Sequence, residues 1–268
     1  MLFVIIFSSL SMLSLSKILR LIPKDLIEEV DVLPSDDIDL NQRDYCHLIK
    51  KGEVLSYGEN NFTQLLEKDD PIGLAETILA KPNMLRYRTI DKVKLLRLDG
   101  TAIRKEINQS GPLVKSIVQY TLKRIFGRQE DTHITPLIFE EEFLRPNEEC
   151  LPIRKFEAGT WIFRSGFSPN RMYFVERGRV QLFTQNKKEL AFLQIGACFG
   201  ESTLIRGKKH NNSALALEDS LVRIIEDHIL EKEVKKEAPI VQLVLFLVLR
   251  RLEFTNSLRM KDHFSRKR

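Results

Sequence analysis

The sequence repeats itself at an interval of 127 residues, and that interval limits the fold more than any other feature. Pro112 and Pro239 are separated by it, as are Lys105 and Lys232, Glu106 and Glu233, and Leu122 and Leu249. Both stretches run on to paired basic residues, Lys123-Arg124 and Arg250-Arg251. Each proline stands where it can open a helix, at a first turn that loses nothing with the missing N–H. Earlier in each half a strand–turn–strand pair recurs: Cys46–Ile49 with Gly52–Val54, then Met172–Val175 with Gly178–Val180. Gly73 and Gly200 follow at matching depth. Two copies of one unit therefore account for the 268 residues.

Within the second copy, short runs between turn residues predict strands at Pro152–Phe156, Thr160–Arg164, Arg171–Glu176, Arg179–Thr184, Leu190–Gln194, Ser213–Leu217 and Leu221–Glu226. Turn residues at Gly159, Gly166, Pro169-Asn170, Gly178 and Asn186 separate them. Short strands at this spacing predict a mainly β fold with flanking helices, each copy a double-stranded β-helix or jelly roll. After Asp227 helix formers take over. The polar Gly127–Thr135 reads as a linker into a helical Pro136–Phe143. The expected division is an apolar N-terminal segment (1–28), a first unit (29–127), a linker and helical lead-in (128–150), a second unit (151–238), and a C-terminal helix with a basic tail (239–268).

Composition removes several function classes. Lys+Arg 42 against Asp+Glu 37 gives a net charge of only +5, too mild to indicate nucleic acid. Three widely spaced cysteines, Cys46, Cys150 and Cys198, form no CxxC pair, which suits a reducing, cytoplasmic setting. The five histidines show no HxH or HxxxH spacing, so a metal site on a jelly roll lacks ligands. There is no G-x-S-x-G, Walker loop or G-x-G-x-x-G, and no enzyme is expected. Glu140–Glu142 and Glu148-Glu149 read as solvated carboxylate runs, and Trp161 as a packing residue of a strand.

In the second unit, Gly159-Thr-Trp-Ile162, Gly166, Tyr173-Phe-Val175 and Gly178-Arg-Val180 resemble the cyclic nucleotide-binding domain. Its pattern is G-x-x-I-x-x-x-G, then Y-F-V-x-x-G-x-V. Gly196, Phe199-Gly-Glu201 and Ser202-Thr-Leu204 follow where the phosphate-binding cassette of that family lies, and Ala216–Ser220 closes the match. The first unit resembles the same domain more weakly, through Gly52-Glu-Val54, Pro71-Ile-Gly73 and Val93–Leu98. After Gly73 the carboxylate Glu76 is out of register, and Arg86 and Arg88 stand in for no clear cassette arginine, so this copy reads as degenerate.

The resemblance implies a ligand site at Phe199, Gly200, Glu201, Ser202, Thr203, His210, Asn211, Asn212 and Ser213, with cAMP or cGMP as ligand. Glu201 would accept the ribose hydroxyl, and backbone N–H groups near Ser202 and Thr203 would face the phosphate at a helix N-terminus. Where the family carries a phosphate-clamping arginine, this chain has His210. Losing a permanently charged fork weakens phosphate binding by about one to two orders of magnitude. A protonated His210 could replace part of it, with affinity rising as pH falls through about 6.5. Arg206, Lys208 and Lys209 are nearby cations, and Asn212 stands where family members carry a small residue. Three readings stay open: a weakened or altered nucleotide site, a ligand-free structural domain, or a site for another small anion.

The ends carry less. Met1–Ser16 is apolar without the flanks of a secretory signal and shorter than the roughly 20 residues of a spanning helix, so packing on the body is favoured over membrane contact. Ile240–Leu249 is apolar around most of its circumference, which points to burial or to a homodimer or partner interface through Pro239 to Met260. With eight residues after Met260, no helix-turn-helix DNA binding is expected. The tail at Arg259, Lys261 and Arg266–Arg268 reads as solvated. The function expected from these features is that of a non-enzymatic sensor acting on a partner, or a scaffold without ligand.

Overall fold

The computed structural model describes residues 15–34, 38, 44–57, 63–80, 85–126, 140–166, 171–200, 210 and 212–251. Residues 1–14, the linker at 127–135, Pro136–Phe139, Glu201–Lys209, Asn211 and the tail from residue 252 lie outside these. The described chain forms two compact units: one gathers 16–110 with 238–247, the other 111–237 with 248–251.

The first unit opens with α1 (Leu15–Leu21) and continues through β1 (Ile27–Val32), β2 (Tyr45–Lys51), β3 (Val54–Tyr57), β4 (Thr63–Leu66), β5 (Pro71–Ile72), α2 (Leu74–Leu79), β6 (Arg86–Thr89), β7 (Val93–Asp99) and α3 (Gly100–Gln109). Its strands make a four-stranded sheet, β1-β7-β2-β5, and a three-stranded sheet, β4-β3-β6, all antiparallel. Side chains alternate across each strand, so Ile49, Val54, Leu66, Ile72, Val93 and Leu95 meet in one apolar core. Asp99 ends the last strand and starts α3, its carboxylate accepting the Ala102 N–H at 2.7 Å as an N-cap.

The second unit begins with α4 (Pro112–Phe126), which its proline opens as expected, followed by a π-helical turn at Glu140–Leu144 and a 3-10 turn at Arg145–Cys150. Then come β8 (Ile153–Phe156), β9 (Trp161–Phe163), β10 (Arg171–Arg177), β11 (Val180–Phe183), β12 (Glu189–Leu193), β13 (Cys198–Phe199), β14 (Ser213–Ala216), β15 (Ser220–Glu226) and α5 (Asp227–Val234). Two four-stranded sheets result, β13-β10-β15-β8 and β12-β11-β14-β9. All seven predicted strands are present within two residues at either end, while the two-residue β13 is additional. Strand β10 is buried on both faces. Tyr173 and Val175 turn into the roll, and Phe174 turns onto a layer of rings, with centroids 4.2 Å from Phe143 and 5.7 Å from Tyr120.

The two rolls share strand register. Strand β10 lies 126 positions after β2, while β15, β14 and β13 lie 127 after β7, β6 and β5. A bulge interrupts the β2–β7 ladder between Ile49 and Lys51, and the β10–β15 ladder between Val175 and Arg177, at the same step. The fold is mainly β with flanking helices, two rolls in tandem.

A helix follows over 239–251. Ile240, Val241, Leu243, Val244, Leu245, Leu247, Val248 and Leu249 are buried, so the apolar girdle read from the sequence is already covered by this chain. Among the described residues no helix is long and apolar enough to cross a membrane.

Candidate functional site

The site is built at the end of β13. Phe199 faces Tyr173 across the ladder, and Cys198 faces Phe174. The next residue, Gly200, adopts φ +82°. A Cβ there would come 2.7 Å from the carbonyl oxygen of Arg171 and 2.9 Å from the Tyr173 ring. Glycine is therefore demanded by the backbone of β10 as well as by the left-handed turn.

The described chain resumes at His210, whose backbone is tied to the loop after β9. Its carbonyl accepts the Gly166 N–H at 2.9 Å and the Ser165 hydroxyl at 3.3 Å. Ser165 N–H in turn donates to Ser213 Oγ at 2.9 Å, at the start of β14. These bonds hold the backbone that carries the imidazole. It is 3% exposed and lies flat on Phe163, centroids 3.8 Å apart and planes 12° from parallel. Phe163 also meets Tyr173 at 5.3 Å and Phe199 at 5.9 Å, and Tyr173 stacks on Phe199 at 5.1 Å.

Of the nine residues singled out from the sequence, the structure thus gathers Phe199, Gly200, His210 and Ser213 around one aromatic cluster. Asn212 is half-buried beside them, and Glu201, Ser202, Thr203 and Asn211 lie outside the described residues. Phe163 and Tyr173 belong to the cluster and were not named as site residues. Their signal was parity: each sits on the inward face of its strand. Burial raises the pKa of the Tyr173 hydroxyl above its ordinary value, with Arg171 opposing. Arg171 itself pairs with Glu226 at 2.9 Å.

The first roll differs at the same place. His47 faces Ile72 where Tyr173 faces Phe199. His47 is 8% exposed, and burial, with Arg97 adding to it, lowers its pKa to about 4, so the ring is neutral. Gly73, at φ 69°, leads directly into α2. Arg86 and Arg88 are exposed on β6. In the second roll Trp161 packs edge-on against Phe183 at 5.6 Å beneath the Arg164 guanidinium. Among the described residues no cluster of His, Cys, Asp and Glu is placed to hold a metal ion.

Residues 153–237 match the family model of the cyclic nucleotide-binding domain. The matched domain spans β8 to the turn after α5 and contains the whole aromatic cluster. A potassium/sodium hyperpolarization-activated cyclic nucleotide-gated channel 2 of Mus musculus is 28% identical over 118 residues, 41% of this chain. This chain spans 12% of the length of that curated relative. Among solved structures, the catabolite activator protein of Thermus thermophilus is 28% identical, with 49% of this chain and 63% of that one covered and a TM-score of 0.37. The regulatory subunit of a cAMP-independent protein kinase A from Trypanosoma brucei is 16% identical, covering 90% of this chain and 83% of its own, with a TM-score of 0.37.

Proposed function

We propose that this protein is a non-enzymatic regulatory module whose second roll binds a cyclic nucleotide, cAMP or cGMP, or a related anion weakly, and passes that event to a partner. The observation that carries the reading is the family match over residues 153–237, which includes the left-handed turn at Gly200. In this reading Glu201 receives the ribose, the Gly200–Thr203 backbone receives the phosphate, and weakness follows from His210 in place of a guanidinium fork. The first roll, assigned to 29–127, is a diverged copy without cassette chemistry, supported by the common register of its strands and by His47 and Ile72 at the corresponding place. The interface expected on Pro239 to Met260 is not kept for that partner, because the apolar residues from Ile240 to Leu249 are buried. The second roll occupies 151–238, led in by 128–150, and the setting is cytoplasmic.

A second reading, a ligand-free scaffold, is favoured by one specific observation: the His210 ring is buried on Phe163. Calorimetry and thermal shift with cAMP, cGMP and inorganic phosphate separate the two. A ligand at one hundred times its Kd stabilises the native state by about 2.7 kcal/mol, a visible rise in Tm. The nucleotide reading expects saturable binding of cAMP or cGMP, weakened by Glu201→Ala. Absence of binding at millimolar nucleotide, with the fold intact, leaves the scaffold.

A further inference from the structure

We infer that the outer face of the β12-β11-β14-β9 sheet docks a second copy of this chain, with Glu189 of each copy set against Arg164 of the other. Val180, Leu182, Leu193 and Ala214 point into the roll, so the residues that alternate with them point out of it. The ladders arrange these outer side chains in two rows. In one, Phe192 pairs with Gln181, Gln181 with Leu215, and Leu215 with Trp161. In the other, Glu189 pairs with Phe183 and Phe183 with Ser213, whose Oγ accepts the Ser165 N–H just beyond β9. Arg164 stands at that end of the row, its guanidinium 5.3 Å from the Trp161 ring centroid. The shift in register between Ala214 and Leu215 is what turns Trp161 outward while Phe163 stays in the core.

This face is unfinished in a single chain. Phe192 is 62% exposed at one edge and Trp161 36% exposed at the other. Between them Gln181 is 5% exposed, and its buried Nε2 finds no hydrogen-bond acceptor among the described residues. Glu189 and Arg164 are exposed at opposite ends of their row, and among the described residues neither is in an ion pair. A two-fold axis parallel to the strands, between β11 and β14, exchanges the two edges of the sheet and keeps the level along each strand. It lays Phe192 over Trp161 of the second copy, Gln181 over its Leu215 and Glu189 over its Arg164, and each contact occurs twice. Sheets packed face to face in this aligned way interdigitate their side chains at about 10 Å. Gln181 lies next to the axis, where the side-chain amide of the second copy supplies the missing acceptor. Charge complementarity selects a copy of this chain as the occupant, because one face carries both halves of the ion pair.

Sedimentation of the whole chain over a concentration series tests this without any ligand. Wild type should show a monomer–dimer equilibrium that weakens with added salt. Arg164→Glu and Glu189→Arg each place like charges together at both symmetry-related contacts, and should each weaken the dimer by at least about tenfold. Mixed in equal amounts, the two variants should form a heterodimer as tight as the wild-type dimer, since every contact then joins Glu to Arg. The double variant should regain the homodimer. Both positions are exposed, and unchanged Tm values will show that the fold is kept. A wild type that stays monomeric overturns the inference and leaves the face to an unrelated partner. A dimer indifferent to both reversals, or reversals that fail to rescue each other, overturns it equally.

Discussion

Glu176 is the extra residue of the β10 bulge, and its carboxylate accepts a hydrogen bond from the guanidinium of Arg223 on β15. Arg223 also donates through Nη1 to the Leu151 carbonyl at 2.9 Å, so one side chain both closes the bulge and anchors the chain entering β8. In the first roll the bulged residue is Lys50, and it pairs with Glu29 on β1. The position of the bulge is kept while the polarity of its ion pair is reversed.

Removal of the Arg223 side chain should therefore be felt in the second roll. Arg223→Met leaves Glu176 and the Leu151 carbonyl without this donor in a partly buried setting, and should destabilise by about 2 kcal/mol. Lys50→Met, on an exposed pair, should cost clearly less. Urea denaturation midpoints of the two variants check the order.

Gly200 and Gly159 both have positive φ, yet only one is crowded. At Gly159 an added Cβ meets nothing within 4 Å, so Gly159→Ala should cost only the left-handed backbone, about 1 kcal/mol. Gly200→Ala adds a clash with the Arg171 carbonyl and should cost about 3 kcal/mol. Equal Tm losses in the two variants would be evidence against the packing described for β13 and β10.

Stability should fall on mild acidification because of His47. Its folded pKa of about 4 lies below the unfolded value of about 6.5, so the unfolded chain binds the extra proton first. The contribution is complete above about pH 6.5 and is lost progressively as pH falls toward 4. Unfolding free energy should drop by about 2 kcal/mol between pH 7.5 and pH 5. His47→Leu should flatten that slope, which urea titrations at the two pH values measure.

Thiol chemistry should distinguish the three cysteines. Burial pushes the Cys46 thiol up to about 12, and Cys198 is also buried, while Cys150 is only half-buried. A thiol-specific reagent at pH 8 should modify Cys150 in the folded protein and reach Cys46 and Cys198 only in denaturant. Rapid modification of Cys46 by mass spectrometry would contradict its place in β2.

The strands of the second roll were legible mainly as short runs set off by turn residues, as in Arg179–Thr184 between Gly178 and Asn186. Strand β13 was not, since Cys198 and Phe199 are too short a run to show any period. The change to helix at Asp227 was read correctly, and so was the proline start of α4. In the site, position 210 was found from the motif, but its ring contact was not. Phe163 reaches His210 from a strand 47 positions earlier, and only the register of β9 against β14 brings the two together. The Glu176–Arg223 pair was hidden for the same reason: a bulge shifts which side chains face each other, and nothing in the local pattern marks it.

The membership of the two units has a consequence for how the chain is made. The second roll keeps its strands within one run, 111–237, and adds the nearby 248–251, whereas the first gathers 16–110 with the distant residues 238–247. A ribosome adding about 5–20 residues per second leaves roughly ten seconds between the emergence of Ser110 and of Ala238. Chains stalled after residue 237 should accordingly show protease protection in the second roll before the first. In synthesis, then, the half of the molecule that is translated first is the half that must wait.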